Sequence, residues 1–340
     1  MSVPKPLLAA LQGQSIQPAP LWLMRQAGRY LPEYRQLRER AGGFLELCLT
    51  PELAAEATLQ PIRRFGFDGA ILFSDILIIA KALGRTVTFR DGDGPSLPTL
   101  ADVDALAAQP DASVLAPVYA ALHKVKASLP VATTLLGFAG GPWTVAAYVI
   151  DGGGRTQFTK ARGLAQEKPA ALDAIIARLS DATAAHLIAQ LDAGADAVQI
   201  FDSWAGLLPP EQFRRFVIAP TRRIVAAIHA RHPQAAIIGF PRSAGTLYAE
   251  YFAETGVTAL CIDQTVPLDQ ARELQKHSPV QGNLDPTVLV TGGAALDRAI
   301  GDILAALGQK PFVFNLGHGI LPETPLAHVE RLVRLVREGP

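Results

Sequence analysis

The first stretch whose residues could do chemistry is RQAGRYLPEYRQLRER, residues 25–40, which carries Arg25, Arg29, Arg35, Arg38 and Arg40. A guanidinium grips a carboxylate or phosphate through two parallel hydrogen bonds, so arginines clustered this way point to an anionic ligand. Arg35, Arg38 and Arg40 follow Pro32, and with Glu33 and Glu39 beside them they read as the solvated face of a helix. Arg25 and Arg29 precede that helix, with Gly28 allowing close backbone approach, and these two read as an anion clamp. Asp75 closes the run LFSD; it is either a helix N-cap, a role open to Ser74 as well, or a catalytic carboxylate. His318, between two glycines, is either a hydrogen-bonded structural residue or part of a site. Tyr148, at the end of GFAGGPWTVAAY, is either a core aromatic or the source of a hydroxyl contact. GFAGG itself resembles a phosphate-cradling turn, a weak motif in the absence of a P-loop lysine.

These residues share one kind of position. Eight apolar runs read as buried strands: PLWLMR ending at Arg25, GAILFSD at Asp75, VATTLLGF at Phe138, DAVQIFD at Asp202, AAIIGF at Phe240, TALCID at Asp263, PVQGN at Asn283 and FVFNLG at Gly317. Each is apolar almost throughout, as strands covered on both faces should be. Amphipathic stretches separate them; Thr50 is placed to cap one, ahead of Pro51, and Gly66, Gly194 and Gly256 stand where helices should end. Strand then helix, repeated eight times, predicts a (β/α)8 barrel in the α/β class, with residues 1–340 as a single domain. Active sites of such barrels lie at the C-terminal ends of the strands, where Arg25, Asp75, the Gly137–Gly141 turn, Asp202-Ser203, Pro241-Arg242, Asp263, Asn283 and Gly317-His318-Gly319 fall. Arg242 is placed to extend the clamp. The segment RDGDGPSLPTLADVDA, from Arg90, reads as a loop excursion.

Composition narrows the function. The 340 residues carry 31 basic and 31 acidic side chains, so the net charge is zero, which argues against nucleic acid or an anionic membrane as partner. Of the basic residues 23 are Arg and 8 are Lys, so the placement of arginine matters more than the total. The two cysteines, Cys48 and Cys261, support no disulfide framework and no four-ligand zinc site, which favours the cytoplasm. The uncharged stretch from Ser128 to Ile150 is broken by Gly140-Gly141-Pro142 and is not a membrane span. There is no HExxH, no CxxC, no GxGxxG after the first run and no lysine ending a strand, so the expectation is chemistry without a cofactor or metal on an acidic ligand.

The motifs PLWLMRQAGRYLPEYR, LFSDIL, GFAGGPWTVAAYVIDGGG, FDSWAG, QGNLDP and LGHGILPETP, in this order over residues 20–325, resemble the uroporphyrinogen decarboxylase family of tetrapyrrole synthesis. The resemblance implies a homodimeric (β/α)8 barrel without cofactor. It implies that the enzyme converts the four acetates of uroporphyrinogen III to methyl groups, giving coproporphyrinogen III and CO2. By the same resemblance Arg25 and Arg29 hold substrate carboxylates, and Gln26, Ala27 and Gly28 contribute backbone to that loop. Asp75 faces the pyrrole N–H groups as the catalytic, charge-stabilising carboxylate, and Tyr148, Ser203 and His318 make further substrate contacts. The chain departs from the family pattern at Ile79-Ala80-Lys81, at Asp151 and in FPRSAG, the last of which unsettles a role for Arg242. Two rivals stand beside this reading: a zinc-dependent methyltransferase of the same superfamily acting on cobalamin or coenzyme thiols, and a non-catalytic tetrapyrrole carrier.

Overall fold

The structure is a computed structural model that describes residues 4–90, 94–100, 102–154 and 157–339. Seven strands form one parallel sheet in the order β1 (Gly69–Ile71), β4 (Thr134–Gly140), β5 (Ala197–Asp202), β6 (Ala236–Pro241), β7 (Ala259–Cys261), β8 (Val280–Leu284) and β9 (Phe312–Leu316). Between the first two of these, β2 (Thr88–Arg90) and β3 (Gly94–Ser96) pair as an antiparallel hairpin. Of the loop excursion expected from Arg90, Arg90 and residues 94–96 pair in that hairpin and residues 97–100 run on as loop, while Asp91, Gly92, Asp93 and Ala101 lie outside the described residues.

The eighth member of the barrel is not a full strand. PLWLMR contributes a single parallel bridge, Leu21 to Phe314. On one side the Phe314 N–H donates to Pro20 O at 2.9 Å and the Trp22 N–H to Phe314 O at 3.3 Å; on the other the Asp68 N–H donates to Leu21 O at 2.9 Å. This segment therefore joins β9 to β1 and closes the ring. Its shortness has a local cause. The Met24 N–H leaves the ladder to donate to Asn315 Oδ1 at 2.9 Å, and Arg25 then turns into the left-handed region at φ 60°. The other runs form strands where the sequence places them, but with shifted ends: β1 keeps only the first three residues of GAILFSD, β7 only the middle three of TALCID, and β4 starts at Thr134 and runs on to Gly140, taking in most of the expected Gly137–Gly141 turn.

Apolar side chains fill the wall and the space beneath the helices: every residue of β6, β7, β8 and β9 is buried. Polar side chains inside the ring are bonded to one another. Trp22 Nε1–H donates to Gln281 Oε1 at 2.9 Å, and Gln281 Nε2–H to Gln199 Oε1 at 3.1 Å. Helix Pro169–Asp192 is tied to β4 by Gln190, which accepts from the Phe138 N–H at 2.9 Å and donates to Phe138 O at 2.8 Å. At the opposite end from the strand C-termini, the short helix Pro6–Leu11 is pinned by Lys5 to Asp196 at 2.5 Å and by the Leu8 N–H to Thr134 Oγ1 at 3.2 Å.

The helix ends follow the expected signals, with one exception. Gly66 and Gly256 adopt left-handed C-caps, and Gly194, at φ 104°, comes just after Ala193, the C-cap of helix Pro169–Asp192. Thr50 sits at the N-cap of helix Pro51–Phe65, but its hydroxyl makes no capping bond, so the start rests on Pro51. Asp151, one of the departures from the family pattern, is buried and accepts from the Ala161 N–H at 2.9 Å, anchoring the start of helix Thr159–Glu167.

Candidate active site

A cavity of about 460 Å³ opens at the C-terminal ends of the strands, lined by the segments that follow the Leu21 bridge, β1, β4, β5, β6 and β9. Arg25, Gln26, Ala27, Gly28, Arg29, Asp75, Tyr148, Ser203 and His318, the nine residues singled out in the sequence, all border it. They lie far apart along the chain, and barrel closure brings them together.

The arginine loop is built by its neighbours. Gln26 is fully buried and turned away from the cavity. Its Oε1 accepts from the Leu23 N–H at 3.1 Å and its Nε2–H donates to Gly69 O at 2.9 Å, while its own carbonyl accepts from the Tyr30 hydroxyl at 2.8 Å. Arg35, exposed on helix Pro32–Ala41, donates back to Arg29 O at 2.7 Å and so closes the loop from outside. A Cβ at Gly28 would lie 2.9 Å from Arg25 O, and one at Gly319 would lie 2.3 Å from Arg25 Cδ. Both glycines are therefore required by Arg25. Its left-handed backbone costs about 1–2 kcal/mol for a residue with a Cβ, and backbone strain of this kind collects at functional sites.

Asp75 lies half-buried on the cavity wall. Its Oδ1 accepts from the Leu77 N–H at 2.8 Å, ahead of helix Ile78–Ala82, so the capping reading holds in part: it braces the turn without being the N-cap. Burial pushes its carboxyl up to about 6, against the pull of the Leu77 N–H and of Arg25. Ser74 Oγ is buried and has no partner among the described residues. Burial likewise drives the His318 imidazole down to about 3, helped by Arg25 and Arg242 and opposed by Asp263, so His318 is neutral at physiological pH. Tyr148 is held above its ordinary value, chiefly by burial. The cavity thus presents arginine cations, one carboxylate able to ionise near neutrality, and neutral donors.

Several strand-end residues do not face this space. Asp202 is fully buried beside it. It accepts from the Thr144 N–H at 3.1 Å and from the Thr144 hydroxyl, and burial pushes its carboxyl up to about 7. Asp263 is held by the Ser243 N–H at 2.6 Å, the Tyr248 hydroxyl at 2.8 Å and the Thr265 N–H at 2.9 Å. Asn283 Nδ2–H donates to Asp263 O and Val266 O at 3.1 and 2.9 Å. All three brace loops. Arg242 is absent from the lining and reaches the site only through its charge on His318.

Arg38, expected on a solvated face, borders the cavity instead and lies 5.8 Å from the Phe44 ring centre. Its spacing from Tyr34, also in the lining and four residues earlier, was the available signal. The apolar half of the wall was equally hidden: Phe138, Phe201 and Phe240 meet edge to face at 5.6 and 6.0 Å, and Phe44, Phe73 and Phe89 form a second group. Among the described residues no group of three His, Cys, Asp or Glu is arranged to hold a metal ion, and both cysteines are buried, their thiols pushed up by that burial.

The family model described as uroporphyrinogen decarboxylase matches residues 3–339. A protein of that name from Sphingopyxis alaskensis is 56% identical over 338 residues, 99% of each chain. Another, from Rhodospirillum rubrum, is 51% identical over 345 residues, again 99% of each. Among solved structures, a methyltransferase from Methanosarcina mazei superposes with a TM-score of 0.80 at 22% identity, covering 98% of this chain and 97% of that one, a likeness of fold alone.

Proposed function

The chain belongs to the uroporphyrinogen decarboxylase family, and on that premise we propose that it removes the four acetate carboxyls of uroporphyrinogen III as CO2, yielding coproporphyrinogen III. One observation carries the reading: Asp75, a half-buried carboxylate and the single one among the described lining residues, shares an aromatic-walled cavity with Arg25, Arg29 and Arg38. A polycarboxylate needs the arginines; a pyrrole that becomes cationic needs the acid.

A pyrrole serves as its own electron sink. Protonation of the ring carbon next to the one that bears the acetate places positive charge on the ring, conjugated to the carbon carrying the acetate. The C–C bond to the carboxyl then breaks, CO2 leaves, and the bonding pair neutralises the ring. Protonation of the exocyclic methylene gives the methyl group, and release of the ring-carbon proton restores the pyrrole. The positive charge exists only along the reaction path, and Asp75 stabilises it from a poorly hydrated site. With its carboxyl at about 6, Asp75 is mostly ionised at neutral pH. Arg25, Arg29 and Arg38 hold carboxylates that are not reacting and so orient the ring. Gln26, Ala27 and Gly28 shape the loop that carries the first two. Tyr148, Ser203 and neutral His318 hydrogen-bond the substrate. The same reading takes the chain as one barrel domain over residues 1–340, acting without cofactor as a cytoplasmic homodimer.

Anaerobic incubation of the pure protein with uroporphyrinogen, with product carboxyls counted by chromatography, tests this directly. Products with seven to four carboxyls are expected. Tight binding with no loss of carboxyl would instead mark a carrier, and stoichiometric zinc with thiol methylation would mark the methyltransferase.

A further inference from the structure

Tyr148 stands on helix Pro142–Asp151, enclosed on three sides. Its ring meets Phe158 edge-on at 5.1 Å and Trp204 at 6.5 Å, and Phe158 and Trp204 pack on each other at 5.0 Å. On the third side a Cβ at Gly154 would lie 3.5 Å from the Tyr148 hydroxyl oxygen. Trp204 is fixed just as firmly. Its backbone N–H donates to Thr144 Oγ1 at 3.1 Å, its carbonyl accepts from Trp143 Nε1–H at 3.0 Å, and the Thr144 hydroxyl donates in turn to Asp202.

One atom in this assembly is unaccounted for. The indole Nε1–H of Trp204 is buried and has no hydrogen-bond partner among the described residues. A buried donor left unpaired is costly, and native structures rarely keep one without a use. The indole meets the Tyr148 ring at 6.5 Å with the planes tilted by 66°, which makes the phenol oxygen the neighbouring candidate acceptor; in keeping with that, the Trp204 side chain pulls the phenol down against the burial that holds it up. A hydroxyl has one proton to give and two lone pairs to share, so accepting from an indole fixes where its own proton points.

We infer that Trp204 is a positioning residue for Tyr148, donating Nε1–H to the phenol oxygen so that the Tyr148 O–H is aimed into the cavity at the substrate. Thr144 and Asp202 act behind it by fixing the Trp204 backbone. Substrate entry tightens the contact, as catalytic hydrogen bonds often do relative to the empty site. This role rests on the decarboxylase reading above.

A double-mutant cycle between Trp204→Phe and Tyr148→Phe tests it: phenylalanine keeps an aromatic ring at 204 and removes the donor together with part of the indole, and the cycle isolates what depends on the Tyr148 hydroxyl. Trp204→Phe should lower kcat about tenfold in the wild-type background, the effect of one hydrogen bond, and less than about twofold when Tyr148 is already Phe. KM should hardly move. Equal losses in both backgrounds, or no loss in either, would overturn the role. Should Trp204→Phe fail to fold, the same cycle runs through Thr144: Thr144→Ser is expected to keep the rate and Thr144→Val to lose it only where Tyr148 is present. CO2 release by the wild-type protein is measured alongside. Its absence overturns the decarboxylase reading and this role together; its presence with additive variants overturns only the role.

Discussion

Asp75 and Asp202 invite comparison because they are so alike before the chain folds. Each ends a buried strand run, LFSD and IFD, and each is followed by a segment that turns back over the barrel mouth. Each carboxyl is pushed up by burial, to about 6 and about 7. The surroundings separate them. Asp75 gives one oxygen to the Leu77 N–H and opens on the cavity with the other side of the group. Asp202 is closed in by Thr144 and by Gly141, where a Cβ would lie 2.5 Å from the carboxylate. A perturbed acid at a strand end is therefore no guide to function by itself; what matters is whether the uncommitted oxygen meets the cavity or the protein.

The two acids should part most widely when Asp75 is changed. Asp75→Asn should lower kcat by on the order of 100-fold, the effect of losing about 3 kcal/mol of charge stabilisation, with KM changed only a few-fold; steady-state CO2 release measures both. The same variant should be no less stable than wild type, and more so at high pH. A carboxyl whose pKa rises on folding favours the folded state fully below its unfolded value, near 3.8, and that contribution is lost as pH rises through about 6. Thermal melts of the two proteins at pH 5 and pH 8 would show the gap opening at the higher pH, and a gap that fails to open would mean that Asp75 is not desolvated.

Next in size is the pH profile. With the ionised carboxylate as the active form, kcat/KM should fall about tenfold per unit as pH drops below about 6, and Asp202, which does not touch the cavity, should add no inflection near 7. Arg29→Ala should raise KM about tenfold, the loss of one charge-assisted contact, and leave kcat within a few-fold. The smallest effect on catalysis is expected from Asp202→Ala: a loss of about 1–3 kcal/mol of stability as the Thr144 hydroxyl and N–H lose their acceptor, seen by denaturant titration, with a drop in kcat that stays below that of Asp75→Asn.

The barrel was legible in the sequence because its strands are apolar on both faces and its helices end at glycines that need positive φ, such as Gly66 and Gly256. The first strand is shorter than its hydrophobicity suggests because hydrophobicity reports burial, not pairing: Leu21, Trp22 and Leu23 are all fully buried, yet only Leu21 is laddered. The cavity's polar residues were legible for a related reason, since a charged group at the end of a dry run is costly to bury unless it meets a cavity or a partner. Other positions kept their roles hidden. Asp263 and Asn283 occupy the same position in their runs but turn sideways into loop bracing, a choice of rotamer that no spacing encodes. Arg38 was hidden by the opposite effect, a charged residue on a helix that looked solvated until the hairpin and Phe44 closed over its neighbourhood.

The seam at Leu21 has a further consequence. Elsewhere the wall is cross-linked by paired strands, whereas this segment holds the ring together through a few backbone hydrogen bonds on either side. Arg25 and Arg29 hang directly from it, while Ser203 and Phe240 line the same cavity from the ends of β5 and β6, across the ring. A polyanion bridging the two acts as a clasp. Amide hydrogens at Trp22, Asp68 and Phe314 should then exchange faster than those in the middle of β5 in the empty protein and slow selectively when the cavity fills. The ligand would complete the cooperative closure of the fold at the place where the chain itself leaves it thinnest.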